Sequence, residues 1–349
     1  VNSAEPSLPN DRGTPNVLLL RDRTSYTSIY LERALACLSN VKGIQVNWPP
    51  GFEYLRRKAP RPIGTWLLNR ALHEAMATDP AFKRIDLALV VDPLRIDYVP
   101  SALGCTTAYY AIDSHLAFRQ HIELARAPEF DVVFVAQKDY VKQYRESGCD
   151  RVEWLPLAFD PMIHRKMNLE KRRRITFVGN PWRGTERGKL LEGLEAAVGL
   201  EVHRAYLHDM VRLYNQSKVV FNRSLKGDVN MRVFEALGCG AFLLTDQREN
   251  GMGDLFIDRQ HLATYGSLEE AVDLARYYLE QDLERERIAL EGHRHARAHH
   301  TYFHRAADVL RACLDYELPR SVISELVEGH LRARDFSYPS QGAPRPAGG

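Results

Sequence analysis

The residues best able to do chemistry are concentrated in 217–246, SKVVFNRSLKGDVNMRVFEALGCGAFLLTD. A short apolar run, Val219–Phe221, leads into a polar loop, then a helical pattern opening near Asn230, then Gly238, Gly240 and a second apolar run. Asp228 or Asn230 can cap such a helix, and the amides behind the cap form a site for an anion. Arg223, Lys226 and Arg232 bring cations to the same point, as a diphosphate requires. Glu235 lies one turn further in, where a carboxylate can accept hydrogen bonds from two adjacent ribose hydroxyls. The same residues also admit a structural reading, in which Arg232 and Glu235 form an i,i+3 ion pair and the glycines only end the helix.

Three further groups carry chemical potential. Gly179 and Asn180 end an apolar run and turn the backbone sharply, and Arg187 follows within reach of a phosphate. Arg183 and Lys189 offer weaker versions of the same role. Asp113-Ser114-His115 closes another apolar run; a histidine paired with a carboxylate can act as a base on a hydroxyl, and Asp113 can equally cap the helix that begins near Leu116. His293, His295, His299, His300 and His304 form two i,i+4 pairs, but neither has the intervening glutamate of a zinc protease, and on one continuous helix the pairs point apart. No metal site is therefore expected. The chain has no Asp-x-Asp triplet, Walker loop, Gly-x-Gly-x-x-Gly after a strand, or Gly-x-Ser-x-Gly elbow.

The elements that position these residues follow from an alternation of β-rich apolar runs with helix-period segments, the mark of doubly wound α/β units. Strands are expected at Val17–Leu20, Ile44–Asn47, Leu87–Val91, Thr107–Ile112, Val132–Val135 and Val152–Leu155. Helices are expected at Ile29–Leu38, Trp66–Met76 and Leu116–Ala125. The rhythm breaks near Ala158–Arg174, then restarts with strands at Ile175–Val178, Leu200–His203, Val219–Phe221, Ala241–Thr245 and Leu262–Tyr265. Helical patterns follow from Leu268 to about Glu280 and through Leu283–Leu314. The expected organisation is an N-terminal domain 1–160, a linker 161–173, a C-terminal domain with closing helices 174–335, and a disordered tail 336–349. Ligands of such domains sit at the carboxyl ends of the strands, in a cleft.

Composition narrows the class. A chain of 349 residues, 45% hydrophobic and 26% charged, suits a soluble two-domain enzyme. A net charge of +2 gives no global field for nucleic acid or an anionic membrane. Cys37, Cys105, Cys149, Cys239 and Cys313 are scattered, as in a reduced, cytoplasmic protein. No apolar run approaches the ~20 residues of a membrane span, and Val1–Thr14 has no basic-then-apolar leader.

The run Asn230-Met231-Arg232-Val233-Phe234-Glu235-Ala236-Leu237-Gly238-Cys239-Gly240-Ala241 closely resembles the donor-site motif of the spore-maturation (CgeB-like) glycosyltransferases. Thr176-Phe177-Val178-Gly179-Asn180 with Arg187, Tyr110-Ala111-Ile112-Asp113-Ser114-His115, and His300-Thr301-Tyr302 before Arg305 are similar to further segments of that family. The resemblance implies a GT-B fold of two Rossmann-like domains facing a cleft, and transfer from a nucleotide-diphosphate-sugar co-substrate with no other cofactor; the missing Asp-x-Asp triplet fits a metal-independent mechanism. It implies donor contacts from Gly179, Asn180, Arg187, Arg223, Asn230, Met231, Arg232 and Glu235. The acceptor, a glycan, lipid, protein or small molecule, would meet Asp113 and His115. Many retaining relatives carry a second glutamate eight positions before the one matching Glu235. Here Gly227 stands there beside Asp228, so the resemblance leaves the stereochemical outcome open.

Overall fold

The computed structural model describes residues 13–21, 25–45, 77–92, 104–125, 129–247 and 249–332. They build two parallel sheets. The first contains β1 (Asn16–Arg21), β2 (Asn40–Gln45), β3 (Leu87–Val91), β4 (Thr106–Ala111), β5 (Val132–Val135) and β6 (Val152–Trp154), in the order β2-β1-β3-β4-β5-β6. The second contains β7 (Arg173–Val178), β8 (Glu201–His203), β9 (Ser217–Asn222), β10 (Leu243–Asp246) and β11 (Ala263–Tyr265), in the order β11-β10-β9-β7-β8. Strands β3 and β5 are buried along their whole length, as is β10, which suits sheets covered by helices on both faces.

Helices α1 (Tyr26–Ala36), α2 (Ser114–Ala125) and α3 (Val141–Glu146) fall among the strands of the first sheet. Among those of the second are α4 (Glu186–Val198), α5 (Leu207–Gln216), α6 (Met231–Gly238) and α7 (Met252–Leu255). After its last strand come α8 (Leu268–Glu280), α9 (Asp282–His299), α10 (Tyr302–Leu314) and α11 (Arg320–Arg332). Side-chain caps start several of them: the oxygens of Ser25, Thr185 and Ser267 accept from Ser28 N, Gly188 N and Glu270 N. Gly199, at φ 71°, ends α4 in the left-handed conformation. Among the described residues no helix is long and apolar enough to cross a membrane.

Two compact units result, one with each sheet. The first holds the described residues up to Pro156 and also Phe303–Leu326; the second holds Leu157–Tyr302 and 327–332. Leu18, Val90, Tyr109, Val133 and Tyr144 are central to the first core. Ile175, Phe177, Leu194, Phe221, Leu244 and Tyr265 are central to the second.

The structure moves several expected boundaries. Residues 161–173 are not a linker: Phe159, Ile163 and His164 are buried in the second unit, and Arg173 already belongs to β7. The closing helix α10 groups with the first unit, where Arg305 Nε donates to Pro156 O at 2.7 Å. The pattern read as one helix over Leu283–Leu314 breaks at His300-Thr301. Phe159 pairs there as an isolated bridge, its amide donating to His300 O and its carbonyl accepting from Tyr302 N. Those bonds satisfy backbone groups that a continuous helix would have used internally. Strand β2 begins at Asn40 because its parallel register with β1 runs from Asn16↔Asn40 to Arg21↔Gln45. The expected helix Trp66–Met76 and the tail 336–349 lie outside the described residues.

Candidate functional site

In the second sheet β7 has β8 on one side and β9 on the other, so the chain reverses its direction of travel at β7. Loops leaving β7 and β9 therefore head to opposite sides of the sheet, and in open α/β sheets ligands bind at the carboxyl ends of such a strand pair. Gly179 and Asn180 follow β7, and Arg223 and Ser224 follow β9. Gly179 has φ 150°, and a Cβ there would stand 3.2 Å from the Arg232 guanidinium carbon, so this position favours glycine twice over. The Asn180 side-chain oxygen accepts from Trp182 N and from Arg204 Nη2, both at 3.1 Å.

Arg187 lies in the first turn of α4 and is only 5% exposed. Its Nη1 donates to Asn180 O at 3.3 Å and its Nη2 to Arg223 O at 2.6 Å, tying these two loops together. Its Nε is buried without a partner. Arg187 and Arg232 both lie over the Phe177 ring, at 5.9 and 5.4 Å. Among the described residues neither makes an ion pair, whereas Arg223 approaches Asp246 at 3.5 Å. Burial, and then the neighbouring Arg232 charge, push the Arg187 pKa down to about 10. Asp246 is held in turn by Ser224 N and Oγ at 2.8 and 2.5 Å.

Helix α6 points its N-terminus into the same region. Asn230 occupies the cap position but makes no capping bond; both polar atoms of its side chain are buried and unpartnered. Asn230, not Asp228, stands at the cap position. Asp228 Oδ1 accepts from Leu225 N at 2.5 Å and closes the turn through Lys226 and Gly227. Met231 follows as the first helical residue, with its sulfur 3.5 Å from the Tyr302 hydroxyl. Arg232 Nη1 donates to Asn222 Oδ1 at 3.1 Å, so the Arg232–Glu235 pair does not form. Glu235 is instead 4% exposed, with Oε1 3.4 Å from Nε2 of His164, itself fully buried. Sequence reasoning missed His164 because it lies in the segment read as a linker. Arg183 pairs with Glu192 and Glu195 along α4, and Lys189 is exposed on the same helix.

In the first unit, Asp113 follows β4 and His115 is half-buried in the first turn of α2. Asp113 N donates to Asp92 Oδ2 at 2.9 Å. The other Asp92 oxygen lies 3.2 Å from His121 Nε2, and His121 Nδ1 lies 3.2 Å from the Tyr144 hydroxyl, which meets Ser114 Oγ at 3.2 Å. This buried chain escaped the sequence reading because its members lie as far as 52 residues apart (Asp92 to Tyr144). Among the described residues no group of three or more His, Cys, Asp or Glu side chains could hold a metal ion. The break after α9 returns His300 onto His295, with their Nε2 atoms 3.3 Å apart and both near Leu255 O.

Residues 158–311 match a family model described as glycosyl transferase-like. No curated protein sequence matches the chain. Among solved structures, HepE from Anabaena, in complex with UDP and glucose, is similar at 12% identity and a TM-score of 0.57, covering 85% of this chain and 98% of its own. Sucrose-phosphate synthase from Thermosynechococcus elongatus is similar at 11% identity and a TM-score of 0.58, over 85% and 98%. A glycosyltransferase from Rickettsia africae is similar at 9% identity and a TM-score of 0.56, over 92% and 100%. Residues 158–311 thus carry a glycosyl transferase-like domain, in a chain whose two parallel-sheet, Rossmann-like domains have the fold of the GT-B structures.

Proposed function

We propose that the second unit binds a nucleotide-diphosphate-sugar and that the chain transfers the sugar to an acceptor without a metal ion. The observation that carries this reading is the pair Arg187 and Arg232. Two guanidiniums lie over one ring, one of them buried, and neither has a carboxylate partner among the described residues. Such an arrangement is costly unless an anion compensates it. The unpartnered Asn230 amide and the first amides of α6 supply neutral donors to the same anion. Negative charge grows on the β-phosphate as the glycosidic bond breaks, and cations fixed beforehand stabilise it with little reorganisation. Glu235 is the acceptor for the ribose hydroxyls, and Gly179 lets the backbone approach the diphosphate.

Acceptor binding belongs to the first unit, with Asp113 and His115 at the carboxyl end of β4 as candidate bases. The similar HepE structure contains UDP and glucose, which makes a UDP-sugar the first donor to try. Membership of the CgeB-like subfamily and a cytoplasmic location, suggested by free cysteines at all five positions, belong to the same proposal.

A thermal-shift screen of UDP-, GDP-, ADP-, CMP- and dTDP-sugars tests the donor site. A ligand at one hundred times its dissociation constant stabilises by about 2.7 kcal/mol, a shift of several degrees. One nucleotide class should give it, and a flat response to all five would overturn the reading. Turnover in EDTA should equal turnover with magnesium or manganese; complete loss in chelator would overturn the metal-free mechanism.

A further inference from the structure

We propose that His164 is a positioning residue for Glu235, presenting an Nε2–H that orients the carboxylate toward the donor ribose; this rests on the donor-site reading above. His164 is fully buried, and Asp160 N lies 3.1 Å from its Nδ1. Nδ1 also lies 3.2 Å from Asp160 O, so the Asp160 backbone offers it both a donor and an acceptor, and the group facing Nε2 decides where the proton sits. Nε2 stands 3.4 Å from Glu235 Oε1, and a lone pair there would face a carboxylate, so the arrangement favours a proton on Nε2. The contact is longer and less aligned than a formed hydrogen bond, which leaves the carboxylate able to turn toward a ligand hydroxyl.

The ring itself has little freedom. Asp160 O accepts from His164 N at 2.8 Å and Asp160 Oδ1 from Met162 N at 2.8 Å, closing the turn from which the imidazole projects. One residue earlier, Phe159 lies so close to α6 that a Cβ on Gly238 would meet its ring at 2.5 Å. The turn is thus seated on α6 at two points about one helical turn apart, Glu235 and Gly238. A segment whose sequence reads as a spacer carries the group that faces the donor-site carboxylate.

Two amide substitutions separate positioning from scaffolding. In His164→Asn the amide replaces Nδ1 and can serve the Asp160 turn, but nothing reaches Glu235. In His164→Gln the longer amide restores a donor near Nε2. Binding is measured by calorimetry with whichever of UDP, GDP, ADP and CDP gives the largest thermal shift, and with its 2′,3′-dideoxy analogue. His164→Asn should weaken binding of the ribonucleotide about tenfold and hardly affect the dideoxy analogue. His164→Gln should recover most of the loss, and in a Glu235→Gln background His164→Asn should cost little more.

Equal losses for both amides, or for both sugars, would overturn the proposal and leave His164 a structural residue. No shift with any nucleotide would overturn the donor-site reading itself, and the role of His164 with it. Should His164→Asn fail to fold, imidazole nitrogen NMR of the unaltered protein decides. An Nε2–H resonance that moves in Glu235→Gln supports the proposal, and an Nδ1–H tautomer overturns it.

Discussion

Arg187, proposed to meet the diphosphate, is also a structural tie. Its two terminal nitrogens hold the carbonyls of Asn180 and Arg223, while Nε is unspent. Replacing it by Ala should weaken nucleoside diphosphate binding by about 1.5–3 kcal/mol and leave the bare nucleoside nearly unaffected. Because two loop carbonyls also lose their donor, the melting temperature should fall as well. Arg187→Lys keeps the charge but cannot reach both carbonyls from one planar fork, so it should recover affinity only in part. Equal loss for diphosphate and nucleoside would place Arg187 outside the phosphate site. Glu235 also differs from a surface carboxylate: at 4% exposure its replacement acts on packing as well as on the proposed ribose contact, so its variants need a melting curve beside every titration.

At the scale of elements, α6 is placed by its neighbours rather than by its own cap. Helix α9 crosses it closely enough that a Cβ on Gly292 would meet His261 O at 2.0 Å and Leu237 Cδ2 at 2.9 Å. Two effects compete in Gly292→Ala. Helix propensity favours alanine by about 1 kcal/mol. Overpacking costs about 1–3 kcal/mol and tends to the upper end here, because the nearest atom is a backbone carbonyl that cannot rotate away. The variant should therefore melt several degrees below the parent, and an unchanged or raised melting temperature would show that α9 is free to shift.

At the scale of the whole molecule, stability should depend on a buried histidine of the long helix α9. His293 on α9 bonds Leu237 O through Nδ1 at 2.9 Å, and burial pushes its pKa down from 6.5 to about 4. Between those values the unfolded chain binds a proton that the native protein refuses, so stability is full above pH 6.5 and falls as pH drops toward 4. The single site contributes a loss of about 2 kcal/mol between pH 7.5 and pH 5. His261 is displaced in the same direction by burial and by the adjacent His295, and adds to the slope. Melting curves at the two pH values should show His293→Gln losing less stability than the parent; equal losses would mean that His293 is already protonated in the native state.

The sequence by itself determined the α/β class and most of the elements. Buried strands such as Leu87–Val91 and Val132–Val135, and the capped helix Leu268–Glu280, declare themselves through runs and periods that are local properties of the chain. It also grouped Gly179, Arg187, Arg223, Asn230, Arg232 and Glu235 as one candidate site, and the structure places all of these on the second sheet's unit. Contacts between distant segments carry no local period, and only the tertiary structure decided them. Arg232 turns to Asn222 instead of Glu235, and His164 meets Glu235 across 71 residues of chain. Likewise Asp92 reaches His121, and a backbone bridge from Phe159 splits one helical pattern into α9 and α10. In each case a buried polar group takes the partner that three-dimensional packing brings within reach, because leaving it unpaired costs more than any local preference for a different partner returns.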